Sequence, residues 1–160
     1  MLDNRTLEEA AQFQDFVADL FYNIGLPINL YTSYKYQIEK GESRAGVEIK
    51  YDKSFEGTGN LYIETQERHD INKPYVPSGI NRNDNTIFYA IGNKKRVLVF
   101  CKKQLKELIK KLDLKEIEIN KKTSKGYILP VERKNSSQNW VLDEHKEYII
   151  IEWKDGKYEN

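Results

Sequence analysis

The feature that most constrains the fold is a pair of alternating stretches within Gly46–Arg68. In Val47–Asp52, apolar Val47, Ile49 and Tyr51 alternate with charged Glu48, Lys50 and Asp52. In Leu61–Glu67, Leu61, Ile63 and Thr65 alternate with Tyr62, Glu64 and Gln66. A period of two sends successive side chains to opposite faces, so each stretch predicts a half-buried strand. Between them, Lys53–Asn60 holds the turn formers Gly57, Gly59 and Asn60. The expectation is a hairpin with Glu48, Lys50, Asp52, Glu64 and Gln66 on one face. Carboxylates crowded together repel unless a positive charge sits among them. A divalent cation that prefers oxygen, Mg²⁺ or Mn²⁺, is the natural candidate for that charge. The same residues also suit a solvated face laced with cross-strand ion pairs.

The rest of the chain supplies a frame around this centre. Thr6 to Glu9 has the form of a capping box. Leu7, Ala10, Phe13, Val17, Leu20, Phe21 and Ile24 follow at helical spacing until Gly25 and Pro27. Leu30–Glu39, rich in Tyr and Thr, predicts a strand. Gly41–Gly46 predicts a turn that sets Glu42 near the start of the acidic strand. Thr86–Ile91 and Arg96–Phe100 predict strands joined at Gly92 and Asn93. Lys102–Leu112 predicts an amphipathic helix with Leu105, Leu108, Ile109 and Leu112 along one stripe. Glu116–Ile119, Thr123–Glu132 and Tyr148–Trp153 predict further extended segments, Asn135–Gln138 a polar loop, and Lys154–Asn160 a frayed end. This order implies an α/β (α+β) fold, a mixed sheet flanked by helices in a single domain over residues 1–160.

Composition narrows the function classes. At 160 residues, 39% of them hydrophobic, the chain is long enough for a core. It holds no apolar run near the roughly 18 residues of a membrane span, so the sequence predicts a cytoplasmic protein without a membrane partner. The single cysteine, Cys101, follows an apolar run and predicts a small buried side chain. His69 and His145 lack the spacing partners of a zinc site, and Trp140 and Trp153 predict core or edge anchors. The net charge of +1 hides an asymmetry, −5 over residues 1–80 and +6 over residues 81–160. Lys94–Lys125 holds 12 basic residues against 4 acidic ones. An acidic centre beside a basic flank suits a polyanion held over a metal.

Glu48, Ile49 and Lys50 form an E-x-K pattern that resembles the PD-(D/E)xK nuclease superfamily, the fold of restriction endonucleases and Holliday-junction resolvases. Small phage or mobile-element members look similar further along. There an Asp two residues past the lysine is followed by Thr, Gly and Asn and then by a strand bearing Glu, which here are Asp52, Thr58, Gly59, Asn60 and Glu64. Ser78, Gly79 and Ile80 before Asp84–Tyr89 are similar too, so the likeness runs from about Thr6 to Leu112. It implies a restriction-endonuclease-like mixed sheet and a Mg²⁺- or Mn²⁺-dependent DNA endonuclease or nickase. It also allows a homodimer, one site for each strand. No Pro-Asp pair precedes Glu48, and Glu42 is the nearest earlier acid. One assignment takes Glu42, Glu48, Asp52 and Glu64 as the acidic set with Lys50 stabilising charge. The other makes Asp52 the first acid, with Glu64 and Gln66 as the second pair. Gln66, Arg82, Asn83, Asn85 and Thr86 carry donors for phosphates, and Lys94, Lys95 and Arg96 can track the backbone. The rival expectation is a nuclease-fold module that binds nucleic acid or a protein without cutting.

Overall fold

The computed structural model describes residues 4–131, 148–154 and 157–159. The helices are α1 (Asn4–Asn23), α2 (Tyr34–Lys40), α3 (Phe55–Thr58) and α4 (Lys102–Lys111). The first strands are β1 (Val47–Tyr51), β2 (Asn60–Glu67), β3 (Val76–Pro77), β4 (Phe88–Asn93) and β5 (Arg96–Cys101). The last are β6 (Glu116–Ile119), β7 (Ser124–Pro130), β8 (Tyr148–Lys154) and β9 (Lys157–Glu159). The fold mixes helices with two sheets, one ordered β1-β4-β5-β8-β9 and one ordered β3-β2-β7-β6. The described residues divide into two compact units, one of residues 4–53, 84–102, 148–154 and 157–159, the other of residues 54–83 and 103–131.

The first unit is built on the five-stranded sheet, in which β1 and β4 run parallel and the remaining pairs antiparallel. Helix α1 covers one face, because Phe13, Val17, Leu20 and Phe21 recur along a single stripe. They pack with Val47, Ile49, Ala90, Val97, Val99 and Ile151, which alternate along β1, β4, β5 and β8. Phe13 is the centre of this layer, fully buried and 5.5 Å in ring separation from Tyr51. The helix ends where Gly25 turns left-handed at φ +81° and the Leu26 N–H reaches back to the Phe21 carbonyl. Leu7 and Ile24, at the ends of the expected stripe, stay exposed. β4 and β5 are buried on both faces, which explains their near-continuous apolar runs.

The second unit holds β2 between β3 and β7, with β6 outside β7, all antiparallel. Its buried apolar side chains include Phe55, Leu61, Ile63, Ile80, Leu105, Leu108, Ile109 and Leu129.

Several expectations are corrected. β1 and β2 do not pair as a hairpin, since β1 lies beside β4 and β2 lies in the other sheet. Helix α3, with Phe55 buried and Gly59 left-handed at its end, occupies the intended turn and carries the chain into the second unit. Leu30–Glu39 is mostly helix, because Lys, Gln and Glu in Tyr34–Lys40 favour α2 and only Leu30 bridges to Ser43. Thr6 lies inside α1, which is already helical at Asn4, and so does not stand at the expected cap position. The turn between β4 and β5 falls at Lys94 and Lys95, with Asn93 paired to Arg96. Lys157–Glu159 pairs with β8 instead of fraying. Cys101 is half-buried. Trp140, His145 and Asn135–Gln138 lie outside the described residues. No helix among the described residues is long and apolar enough to cross a membrane.

If Phe13 anchors the helix–sheet layer, Phe13→Ala is expected to cost about 3–5 kcal/mol. Urea unfolding measures this, and a loss below about 1 kcal/mol contradicts the packing described.

Candidate functional site

On β1, the face opposite α1 begins with Glu48, whose side chain is 2% exposed. A carboxylate this deep requires a cation or hydrogen-bond donors. The Lys50 ammonium, one step along the same face, lies 2.9 Å from Glu48 Oε1. Among the described residues that oxygen accepts no well-aligned hydrogen bond, so its tie to Lys50 is chiefly one of charge. On the other oxygen, the Thr86 hydroxyl donates to Glu48 Oε2 at 3.4 Å.

Glu42 arrives from the loop after α2. β1 is an edge of its sheet among the described residues, so one row of its backbone groups lies outside the β4 ladder. The Ile49 N–H in that row donates to Glu42 Oε2 at 3.1 Å. Gln14, on α1, donates its side-chain amide to Glu42 Oε1. Burial pushes the Glu42 carboxyl above its ordinary range. The Lys50 charge and the Ile49 N–H pull it back, Glu48 raises it further, and Gln14 lowers it. The loop is pinned by Asn85, whose side chain donates to the Ser43 carbonyl at 2.9 Å, and by the Ser43 hydroxyl, which donates to the Val47 carbonyl at 2.8 Å. Gly46, left-handed at φ +70°, lets its carbonyl accept from both Ile87 and Phe88, starting the parallel pairing.

Behind Thr86 stands a second buried pair. The Lys102 ammonium is 3.0 Å from Asp84 Oδ1, with side chains 11% and 1% exposed. The Thr86 N–H donates to the same oxygen at 3.0 Å. Burial alone would raise the Asp84 carboxyl, but the hydrogen bonds from Lys102 and Thr86 outweigh it and hold the group below its ordinary range. Among the described residues Asp84 Oδ2 is buried without a hydrogen-bond partner. A continuous polar chain therefore runs Lys102, Asp84, Thr86, Glu48, Lys50.

The structure thus brings Glu42, Glu48 and Lys50 together. Asp52, just past the end of β1, is buried, and its N–H donates to the Gly92 carbonyl. Glu64 belongs to the second unit, where its carboxylate accepts from the Ser78 and Ser124 hydroxyls at 2.6 and 2.8 Å. Gln66 lies on β2 opposite Pro77, and Arg82 reaches Glu67 and Ser78. Asn83 is exposed, Lys94 donates to Gln12, and the Lys95 N–H donates to Asn93. Among the described residues no group of three His, Cys, Asp or Glu side chains is placed to hold a metal, so the acids expected on one face do not form a joint cluster. Thr86, expected among the phosphate donors, is found partnering Glu48, whereas the Asp84–Lys102 pair behind it carries no such expectation. Their one sequence signal is the polar stretch before β4.

The raised Glu42 carboxyl has a definite pH signature. A carboxyl whose folded value is raised contributes stability in full below its ordinary value of 4.5 and loses it as pH rises through the raised value. Glu42→Gln removes that loss. Melts from about pH 4 to about pH 8 are expected to show the wild type weakening relative to E42Q as pH rises. A gap that does not change with pH contradicts the assignment.

No family model, no curated protein and no solved structure matches this chain.

Proposed function

We propose that this chain is a metal-dependent DNA endonuclease or nickase, with a restriction-endonuclease-like sheet carrying the site. The observation that carries the proposal is the convergence of a half-buried carboxylate, Glu42, and a buried one, Glu48, on a lysine 2.9 Å from the second. Mg²⁺ keeps several waters and takes only one or two carboxylates from a protein, so the pair is a sufficient donor set. The residues also fit electrostatically, because burial raises Glu42 and leaves Glu48 Oε1 without an aligned donor. Glu42 and Glu48 would hold Mg²⁺ or Mn²⁺, with the Ile49 carbonyl as a further oxygen. Such an ion supplies Lewis acidity, polarising a phosphoryl oxygen and making a water more acidic.

The chain's own residues do the rest. Gln14 and the Ile49 N–H orient Glu42, and Thr86 orients Glu48. The half-exposed Lys50 ammonium stabilises charge that develops on the phosphate during hydrolysis. The lysines of Lys94–Lys125 supply sequence-independent attraction for DNA. The proposal extends to a cytoplasmic enzyme whose pairing into a homodimer would serve both strands.

The absence of a third metal-ligating side chain among the described residues favours a second reading, a module of this kind that binds nucleic acid or a protein without cutting. Nicking of supercoiled plasmid with Mg²⁺ or Mn²⁺ separates the two. The nuclease is expected to lose about a hundredfold or more in Glu48→Ala and in Lys50→Ala. DNA binding without nicking in the wild type supports the second reading, and nicking that survives both substitutions contradicts the site.

A further inference from the structure

We infer that the cavity beside the Glu42 segment is a binding pocket for one unpaired nucleotide of a DNA strand. The inference deepens the nuclease proposal and rests on it for the choice of DNA. The cavity, of about 480 Å³, is lined by Asn29, Leu30, Tyr31, Thr32, Tyr36 and Arg44.

Its walls are fixed by backbone pairing. The Tyr31 N–H donates to the Glu42 carbonyl at 3.0 Å, and the Arg44 N–H to the Asn29 carbonyl at 2.9 Å. The Gln37 side chain donates to the Tyr31 carbonyl at 2.6 Å. Tyr36 is 52% exposed, and its ring lies 6.1 Å from that of Tyr31. A half-exposed aromatic next to a second one, outside the core layer, offers a ring face to a ligand. The Arg44 guanidinium stands 5.8 Å from the Tyr31 ring centre. Among the described residues it is the one charged side chain in the lining, and it is cationic. The Glu42 carboxylate is turned away to Gln14 and Ile49.

Aromatic faces, one guanidinium and the amide and hydroxyl of Asn29 and Thr32 are the groups that take a base and its phosphate. A base inside a duplex hides its faces by stacking, so the occupant is unpaired. Glu42 links the two sites, since its carbonyl pairs with Tyr31 while its carboxylate enters the acidic centre.

The test is fluorescence anisotropy of a labelled oligo-dT with the full chain in EDTA, over a range of salt. Tyr36→Ala and Arg44→Ala are each expected to weaken binding about tenfold. Arg44→Ala should also reduce the salt slope by about 0.7, and Tyr36→Ala should leave it unchanged. Both side chains are exposed, and circular dichroism checks that the variants fold. No oligonucleotide binding by the wild type, or affinities within about twofold in both variants, overturns the pocket. Intact Mn²⁺ binding and plasmid nicking beside that result would leave the nuclease proposal standing. Conversely, variant-sensitive oligonucleotide binding in a chain that takes no Mn²⁺ would keep the pocket and remove the nuclease.

Discussion

The burial of one carboxylate, Glu48, on a strand at the sheet's edge is the constraint on which the first unit depends. β1 presents Val47 and Ile49 to α1, and the strand period then forces Glu48 onto the opposite buried face. Desolvating a charge costs several kcal/mol unless partners repay it. The fold answers with Lys50 two residues on and with Thr86 across the parallel pairing. Thr86 in turn is set by Asp84, which Lys102 neutralises. A hydrophobic residue at Glu48 would need none of these groups. That cost is what supports the proposed reading of the cluster as a site.

The edge of the sheet makes the second half of the site. An open row of backbone groups is a liability, and Glu42 covers part of it by accepting from Ile49. Covering the edge with a carboxylate in place of a strand sets a second, half-buried carboxylate beside the first. Asn85 and Gly46 hold the loop so that Glu42 reaches this position, and the backbone ties that align β1 with β4 pass through the same residues. Architecture and electrostatics are therefore coupled, because the pairing that starts the sheet also places the acids.

Much of this was legible in the chain. The helical spacing of Phe13, Val17, Leu20 and Phe21 and the apolar run Val97–Phe100 predict α1 and β5, since burial imposes those periods directly. The alternation around Glu48 and Lys50 identifies a strand with a charged face. Periodicity gives a strand its faces but not its partner, so the same alternation in Leu61–Glu67 suggested a hairpin that does not form. Phe55 and the left-handed Gly59 divert the chain there, and a short helix within a glycine-rich stretch has too few residues to show a period. Glu64 was therefore grouped with Glu48, whereas Ser78 and Ser124 hold it. The sequence marks Thr86 only as a phosphate donor and leaves Asp84 and Lys102 unassigned, because their meeting depends on the β1–β4 register, and nothing local to those residues encodes it.

The central claim is that Glu42 and Glu48 form one cation site beside Lys50, and titration of the protein with Mn²⁺, followed by electron paramagnetic resonance, tests it most directly. Saturable binding by the wild type, weakened at least about tenfold in both Glu42→Gln and Glu48→Gln, is the predicted result. No saturable binding, or equal affinity in the wild type and both variants, would contradict it.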